Sequence, residues 1–480
     1  MLHLQHIYAN IIIVKNQVLG EDYIMKRFIA LAILASLTVA HTIPVLAIED
    51  TKIDYKQVKT EKIKPTINKY EYVNLSWWQG FNDEHLNSYI IKALENNKDL
   101  KMASLTIEEF YQNVAAQRSA QLPTINTGFL PGLSDLGAGA FDSYAVPLMA
   151  SWELDIYGKN SNKTNSVRKL WESSILDERA AYISIASAVG TTYINIVKLD
   201  AMIDLQEDIV NLRKEIFEMM EISNAEGLAS TSDLVKANQA YIAGVSDLTD
   251  MKKNRSKLLH QLAVLTGDSP NNIEEYTRVD YKTLAFSGNI PETVASEIII
   301  QRPDYLKAEK MLEKAGIDVK VARKECLPAI NLGGLVLFNS LEIGSLFNSN
   351  TALWGLGGGL FHPIFAGGRI KANLKSKKIA YEKSLKNYEK VNLTSMQEVN
   401  DTLVSINMDK ERLAKQKEIQ TLEQKDFELT KLKYQEGVIA KLDLNQKQEN
   451  LLNVNQMIYA SEFDCMIDYI GYYKAVGAKA

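Results

Sequence analysis

Two hydrophobic periods alternate along this chain, and the alternation happens twice. Over residues 143–157 the even positions Tyr144, Val146, Leu148, Ala150, Trp152, Leu154 and Ile156 form an unbroken apolar series, while the odd positions are mostly small or polar. A period of two marks a strand with one greasy face. Residues 123–133 alternate less cleanly, with Ile125, Thr127, Phe129 and Leu133 on one face. The pattern returns over 328–339 and 351–365, where Ala352, Trp354, Leu356, Leu360 and Ile364 share a face. Two hairpins are predicted, over 123–157 and 328–365, with loops near 134–141 and 340–350.

Elsewhere the composition is helical. Residues 163–224 hold no proline and one glycine, Gly190; residues 369–435 hold neither. At ~1.5 Å per residue these segments predict helices of roughly 90–100 Å. Each ends at a Glu-Gly pair, where Gly227 or Gly437 can take the left-handed cap. Each is followed by a returning helix, over 231–266 and 441–476. In the last, Leu444, Leu451, Ile458 and Cys465 recur every seven residues, and Leu234, Tyr241 and Leu248 do so in the first. That spacing predicts coiled-coil packing of antiparallel neighbours. Shorter helices are expected over 83–95, with Asp83 as N-cap, and over 99–120.

The correspondence extends to residue identity. Glu226-Gly227-Leu228 followed by Asp233-Leu234 returns 210 residues later as Glu436-Gly437-Val438 followed by Asp443-Leu444. Upstream the offset is 205: Leu122-Pro123-Thr124-Ile125-Asn126 meets Leu327-Pro328-Ala329-Ile330-Asn331. The chain therefore reads as an internal duplication. Repeat 1 spans 83–270, with hairpin 123–157 and coiled-coil helices 163–266. Repeat 2 spans 271–480, with hairpin 328–365 and coiled-coil helices 369–476. Two copies of one long unit make a pseudo-symmetric subunit, unlike an array of short solenoid repeats.

Met25-Lys26-Arg27, the apolar stretch 28–39 and Val45-Leu46-Ala47 have the layout of a secretory signal peptide over 25–47. Residues 1–24 then read as an upstream extension and 48–82 as an extended polar leader. An uncleaved membrane anchor is the competing reading, but the apolar stretch is short for a span. No cysteine follows the cleavage site, so a lipid-modified N-terminus is not expected. Beyond residue 48 no stretch approaches ~20 apolar residues, so no membrane helix is expected there. An exported chain of this kind is either soluble or crosses a membrane as strands.

Composition narrows the chemistry. The net charge of −5 is modest and the charges look scattered, which argues against nucleic acid. Cys326 and Cys465 are far apart and are both expected to be small buried residues, with a disulfide left open. His85, His260 and His362 lie in separate segments, without the clustering a zinc site needs. No phosphate-binding loop, nucleophile elbow or dinucleotide fingerprint occurs. No catalytic, cofactor-binding or metal residues are expected, and no enzyme.

Two hairpins supply only four strands, whose outward faces are too apolar for water. Lipid tolerates no open sheet edge, because every unpaired backbone group there costs several kcal/mol. Three copies would close twelve strands, an even number suited to an outer-membrane barrel. Trp152 and Trp354 are candidates for its lipid-facing aromatic belt. Ordinary soluble core packing is the alternative for both. The long helices carry too many charges to lie in lipid, as in Lys410-Glu411-Arg412. The expected fold is an α+β membrane protein: a trimeric 12-stranded β-barrel, four strands per subunit, continued by a long α-helical periplasmic barrel.

The motifs of this chain resemble a known family. Trp77-Trp78-Gln79-x-Phe81-x-Asp83-x-x-Leu86, Trp152-Glu153-Leu154-Asp155-Ile156-Tyr157-Gly158-Lys159, Arg302-Pro303-Asp304 with Ala308-Glu309, Pro363-Ile364-Phe365-x-Gly367-Gly368-Arg369 and Tyr434-x-x-Gly437 are similar to the signatures of the TolC-like outer-membrane efflux proteins. They look like the branch that serves resistance-nodulation-division (RND) pumps. The resemblance runs from about residue 75 to the end and falls in both repeats. It implies a homotrimer in the outer membrane of a Gram-negative bacterium, in contact with outer-membrane lipid. It also implies a periplasmic adaptor (membrane-fusion) protein and an inner-membrane pump, RND or ABC, as partners. Function would then be passive conduction of small toxic compounds to the exterior, with no cofactor. An exit duct for type I protein secretion and an exported coiled-coil structural protein are the alternatives.

The resemblance further implies a closed periplasmic tip that opens on docking. Asp426, Glu428, Lys431, Tyr434, Glu436 and Asp443 are the candidate gate and tip residues, because rings of symmetry-related charges can gate a pore. A solvated helix face is the plainer reading of the same charges. Lys431 stands where family members often carry an aspartate, so an acidic ring does not transfer to this chain. Gly227 and Gly437 are the candidate adaptor-docking turns.

Overall fold

The computed structural model describes residues 77–477, apart from 136–139, 272, 274–275, 288–289 and 291–298. The readings of residues 1–76, signal peptide included, lie outside the described residues. The chain divides into two compact units, each drawing on both repeats: residues 114–165 with 317–377, and the remaining described residues.

The first unit holds a sheet. Its strand segments are β1 (Thr124–Thr127), β2 (Leu130–Asp135), β3 (Ala140–Leu154), β4 (Ala329–Ser340) and β5 (Ala352–Phe361). All pairings are antiparallel; β1 and β2 both pair with β3, then β4 and β5 follow in order. β1 and β2 keep one register, with Thr127 opposite Leu148 and Leu130 opposite Ala145. They are two halves of one strand. The break falls opposite Pro147, which accepts a bond from Gly128 N at 3.3 Å but has no N–H to return one. β3 ends at Leu154, three residues before the alternation does, because the Asp155 carboxylate turns away to accept from Asn160 N (2.8 Å) and Ser161 N (2.7 Å) at the next helix start.

Among the described residues seven α-helices follow the duplication. They are α1 (Glu84–Asn96), α2 (Lys98–Ser119), α3 (Lys159–Ala225), α4 (Thr231–Thr266), α5 (Pro303–Lys324), α6 (Arg369–Gln435) and α7 (Lys441–Val476). Matched helices are equal in length: α2 and α5 have 22 residues, α3 and α6 have 67, α4 and α7 have 36. Asp83 caps α1 by accepting from His85 N and Leu86 N. Pro303 opens α5, where its missing N–H is harmless.

The core of the second unit surrounds the middle of α3. One stretch of α3 is apolar enough to cross a membrane, but 61% of it is buried within the protein. Tyr193, Ile194, Ile196 and Val197 are fully enclosed there, packed with Ile90 of α1, Leu262 of α4 and Ile470 of α7. A helix buried on every side is apolar all round. The opening aromatic segment plugs this core: Trp78 and Phe81 are 2% exposed, and Trp77 stacks on Tyr473 at 6.0 Å. Gly190 makes the plug possible, since a Cβ there would lie 2.8 Å from the Trp77 ring. The heptad of α7 buries Leu451, Ile458 and Cys465, while Leu444 is half-buried. Cys465 is buried as expected and burial pushes its thiol up to about 11; Cys326 is only half-buried, and both are free.

Candidate functional site: sheet face and helix turns

Register decides which side chains share a face of the sheet. Trp152 stands opposite Leu332, which stands opposite Gly358. Leu148 stands opposite Val336, which stands opposite Trp354. The two tryptophans therefore share a face but lie four residues apart along the strands, roughly 13 Å at ~3.3 Å per residue. Ile125, Val146, Ile330, Leu356 and Leu360 fill the same face. Much of it is open: Trp354 is 80% exposed and Leu356 84%. Trp152 donates its indole N–H to the Gln121 carbonyl at 2.9 Å.

A second aromatic group on this face was not apparent from the sequence. Phe129 and Tyr144 stack with ring centroids 6.3 Å apart, and Phe338 stands opposite Val146 one row away. Tyr144 is eight residues from Trp152, roughly 26 Å along the strand. The signal was present in the alternation, but only the pairing register aligns it. The opposite face carries Thr124, Ser151, Gly333 and Gly357 in one row and Glu153, Asn331 and Gly359 in the next. Both outer strands, β1–β2 on one side and β5 on the other, lack a neighbour among the described strands.

The helix turns of the second unit form a matched pair. Gly227 N bonds Asn224 O (3.0 Å) and Leu228 N bonds Ser223 O (2.8 Å); Gly437 N bonds Tyr434 O (3.0 Å) and Val438 N bonds Lys433 O (2.9 Å). These are two Schellman caps, with φ of +73° and +70° at the glycines. The residue after each glycine usually packs back on its helix. Here Leu228 is 84% exposed and Val438 71%. Each turn thus presents a bare apolar knob at equivalent positions, which attention to the glycines alone had missed.

The returning helices start differently. Ser230 Oγ accepts from Asp233 N at 3.1 Å and donates to Asp233 Oδ2 at 2.7 Å. That bond and Lys236 hold the Asp233 carboxyl below its usual range. In repeat 2 alanine replaces the serine, and Asp443 Oδ2 instead accepts from Ala440 N (3.2 Å).

Among the described residues no hydrogen bond or ion pair joins the six expected gate residues to one another. Asp426 pairs with Lys447 at 2.6 Å, Glu428 accepts from Gln424 at 2.9 Å, and Asp443 caps α7. Lys431, Tyr434 and Glu436 are exposed. Higher up, Arg213 of α3 ties two other helices, bonding Glu449 of α7 at 2.7 Å and the Ala240 carbonyl of α4 at 3.1 Å. Among the described residues no group of His, Cys, Asp or Glu could hold a metal ion.

Comparison with known proteins identifies the architecture. The family model for outer membrane efflux protein matches residues 89–268 and 294–478, one match per repeat. The chain belongs to the outer membrane efflux protein family. Among curated members it is 26% identical over 411 residues to the probable efflux pump outer membrane protein TtgC of Pseudomonas putida, covering 84% of each chain. It is 25% identical over 409 residues to the cation efflux system protein CusC of Escherichia coli, covering 85% of this chain and 89% of that one. Its fold matches the Campylobacter jejuni CmeC outer membrane channel with a TM-score of 0.77 at 24% identity, over 85% of this chain and 88% of that one. It also matches the Neisseria gonorrhoeae MtrE outer membrane channel in its open state, with a TM-score of 0.73 at 24% identity, over 82% and 89%. This family member is thus an outer-membrane efflux component with a channel fold, in a family of transporter components.

Proposed function

We propose that this chain is one subunit of a trimeric exit duct for a tripartite efflux pump, through which small toxic compounds leave the cell without a chemical reaction. The observation that carries the proposal is the sheet. It has one large exposed apolar face, an opposite face that is small and polar in its rows around Ser151 and Glu153, and two outer strands without a neighbour among the described strands. The exposed apolar face is unfavourable in water and the open edges would be unfavourable in lipid; both are satisfied when three sheets close a twelve-stranded barrel in lipid. Trp152 would mark one membrane interface, and Phe129, Tyr144 and Phe338 the other. At a strand tilt of ~40° their separation becomes about 20 Å, close to the ~25 Å apolar band of such barrels. Trp354 then lies inside the band. The helices of 67 residues would form the periplasmic tube.

The tip turns at Gly227 and Gly437 are proposed to receive a periplasmic adaptor through Leu228 and Val438. Lys431, Tyr434 and Glu436 are proposed to line the closed tip. An RND pump is the expected inner-membrane partner, with an ABC exporter the alternative; the efflux roles in the relatives' names favour efflux over protein secretion. The test is complementation. A strain lacking its own duct should regain low ethidium accumulation when this chain is expressed with its cognate adaptor and pump. Unchanged accumulation, with the protein present as a heat-sensitive trimer in the outer membrane, would refute the efflux assignment.

A further inference from the structure

The whole chain carries a net charge of −5, yet the first 22 residues of α6 contain eight basic residues and two acidic ones. Pseudo-symmetry supplies an internal control. Lys159, 210 residues before Arg369, pairs with Glu153 at 2.5 Å, and Lys163 pairs with Glu325 at 3.6 Å. Arg369, Lys371 and Lys375 are exposed, and among the described residues no ion pair reaches them. The carboxylates at this end of the sheet are already engaged: Glu153 and Glu325 by those lysines, Asp155 by the start of α3. Immediately before the basic run, Ile364 is 97% exposed and Phe365 90%. The segment lies a few residues beyond the end of β5, the strand that carries Trp354, Leu356 and Leu360 of the apolar face.

Exposed apolar side chains next to unpaired cations are the composition of a membrane-interface anchor: the rings enter the acyl boundary while lysines stay among headgroups. We propose that Ile364, Phe365, Arg369, Lys371 and Lys375 seat on anionic phospholipid headgroups of the leaflet at the helix-side end of the sheet. The inference rests on the sheet being the membrane-spanning part. No cation of this group has a carboxylate of its own, and a negative headgroup surface attracts each nearby Lys or Arg by about fivefold in binding.

Two reporters separate the anchor from the sheet. The full-length protein is reconstituted in vesicles containing brominated phosphatidylcholine or brominated phosphatidylglycerol. Quenching of the native Trp152 and Trp354 tests the sheet; a Phe365→Trp variant with Trp152→Phe and Trp354→Phe tests the anchor. The expected result is quenching at position 365 by both lipids, at least fivefold stronger association with phosphatidylglycerol, and loss of that preference in Lys371→Gln/Lys375→Gln. Equal quenching by the two lipids, or a preference that survives the double substitution, overturns the anchor while leaving the sheet in lipid. No quenching of Trp152 or Trp354 by either lipid overturns both.

Discussion

Replacing Gly437 with alanine separates a docking role from a folding role. Its φ is +70°, where an L-residue costs about 1–2 kcal/mol. Reduced freedom of the unfolded chain returns about 0.4–1 kcal/mol. Nothing lies within 4 Å of the added Cβ, so no steric term is added. The net cost is about 1 kcal/mol, small against a subunit with two 67-residue helices. It falls wholly on the Schellman turn that presents Val438. Gly267 makes the contrast, because its φ is +81° and a Cβ would sit 2.7 Å from the Asn96 carbonyl oxygen. That substitution must displace backbone in the core of the second unit. Gly437→Ala and Gly227→Ala should give normal amounts of outer-membrane trimer but weaker adaptor cross-linking and higher ethidium accumulation. Gly267→Ala should lower the amount of trimer. Tip variants with wild-type cross-linking and accumulation, or tip variants that fail to assemble like Gly267→Ala, would refute the reasoning.

Three further outcomes follow from the geometry. Leu356→Arg on the apolar face should destabilise the vesicle-inserted protein by ~2–4 kcal/mol in urea unfolding, whereas Asn331→Arg on the opposite face should be mild; equal effects would contradict the face assignment. Arg302, 7% exposed, bonds Asp304, Glu398 and the Ala475 carbonyl. Arg302→Ala should cost ~1.5–3 kcal/mol in chemical denaturation, because it removes the charge-assisted hydrogen bonds of a buried guanidinium while the Asp304 and Glu398 side chains, 44% and 49% exposed, stay hydrated; a change below 1 kcal/mol, on the order of an exposed pair, would show that these bonds are dispensable. Burial, reinforced by a hydrogen bond with Asp409, raises the Asp468 carboxyl to about 7. The native state then holds a proton that the unfolded state releases near its ordinary value of 3.8, so this group's contribution falls as pH rises from about 4 to about 7. Asp468→Asn should flatten that slope and stabilise the protein at pH 8, as read by thermal unfolding across pH; an unchanged slope would count against it.

Much of the architecture was legible because it rests on strong local signals. The proline-free segments and their Glu-Gly ends located α3 and α6, and the seven-residue spacing marked the buried side of α7. Other features depend on tertiary geometry. The break between β1 and β2 comes from Pro147 on the opposite strand, which no periodicity within 123–133 could reveal. The end of β3 is set by Asp155, whose side chain serves the next helix although its position continues the alternation. Nothing in the sequence around Gly190 explains a glycine there; the Trp77 ring packed against it does. Charges were the least legible. Asp426 and Asp443 look alike in sequence to Lys431 and Glu436, but the structure gives the first two a partner each, an ion pair with Lys447 and the cap of α7. The basic run after Arg369 passed as scattered charge because its meaning depends on which carboxylates are already taken.

Cryo-electron microscopy of the full-length protein extracted from outer membranes distinguishes a closed trimeric barrel from an unpaired sheet. The expected result is a threefold particle whose twelve-stranded barrel joins β5 of one subunit to β1 of the next, continued by a helical tube of about 100 Å. A monomer with the β1 and β5 edges unpaired, or an open filament, would contradict it.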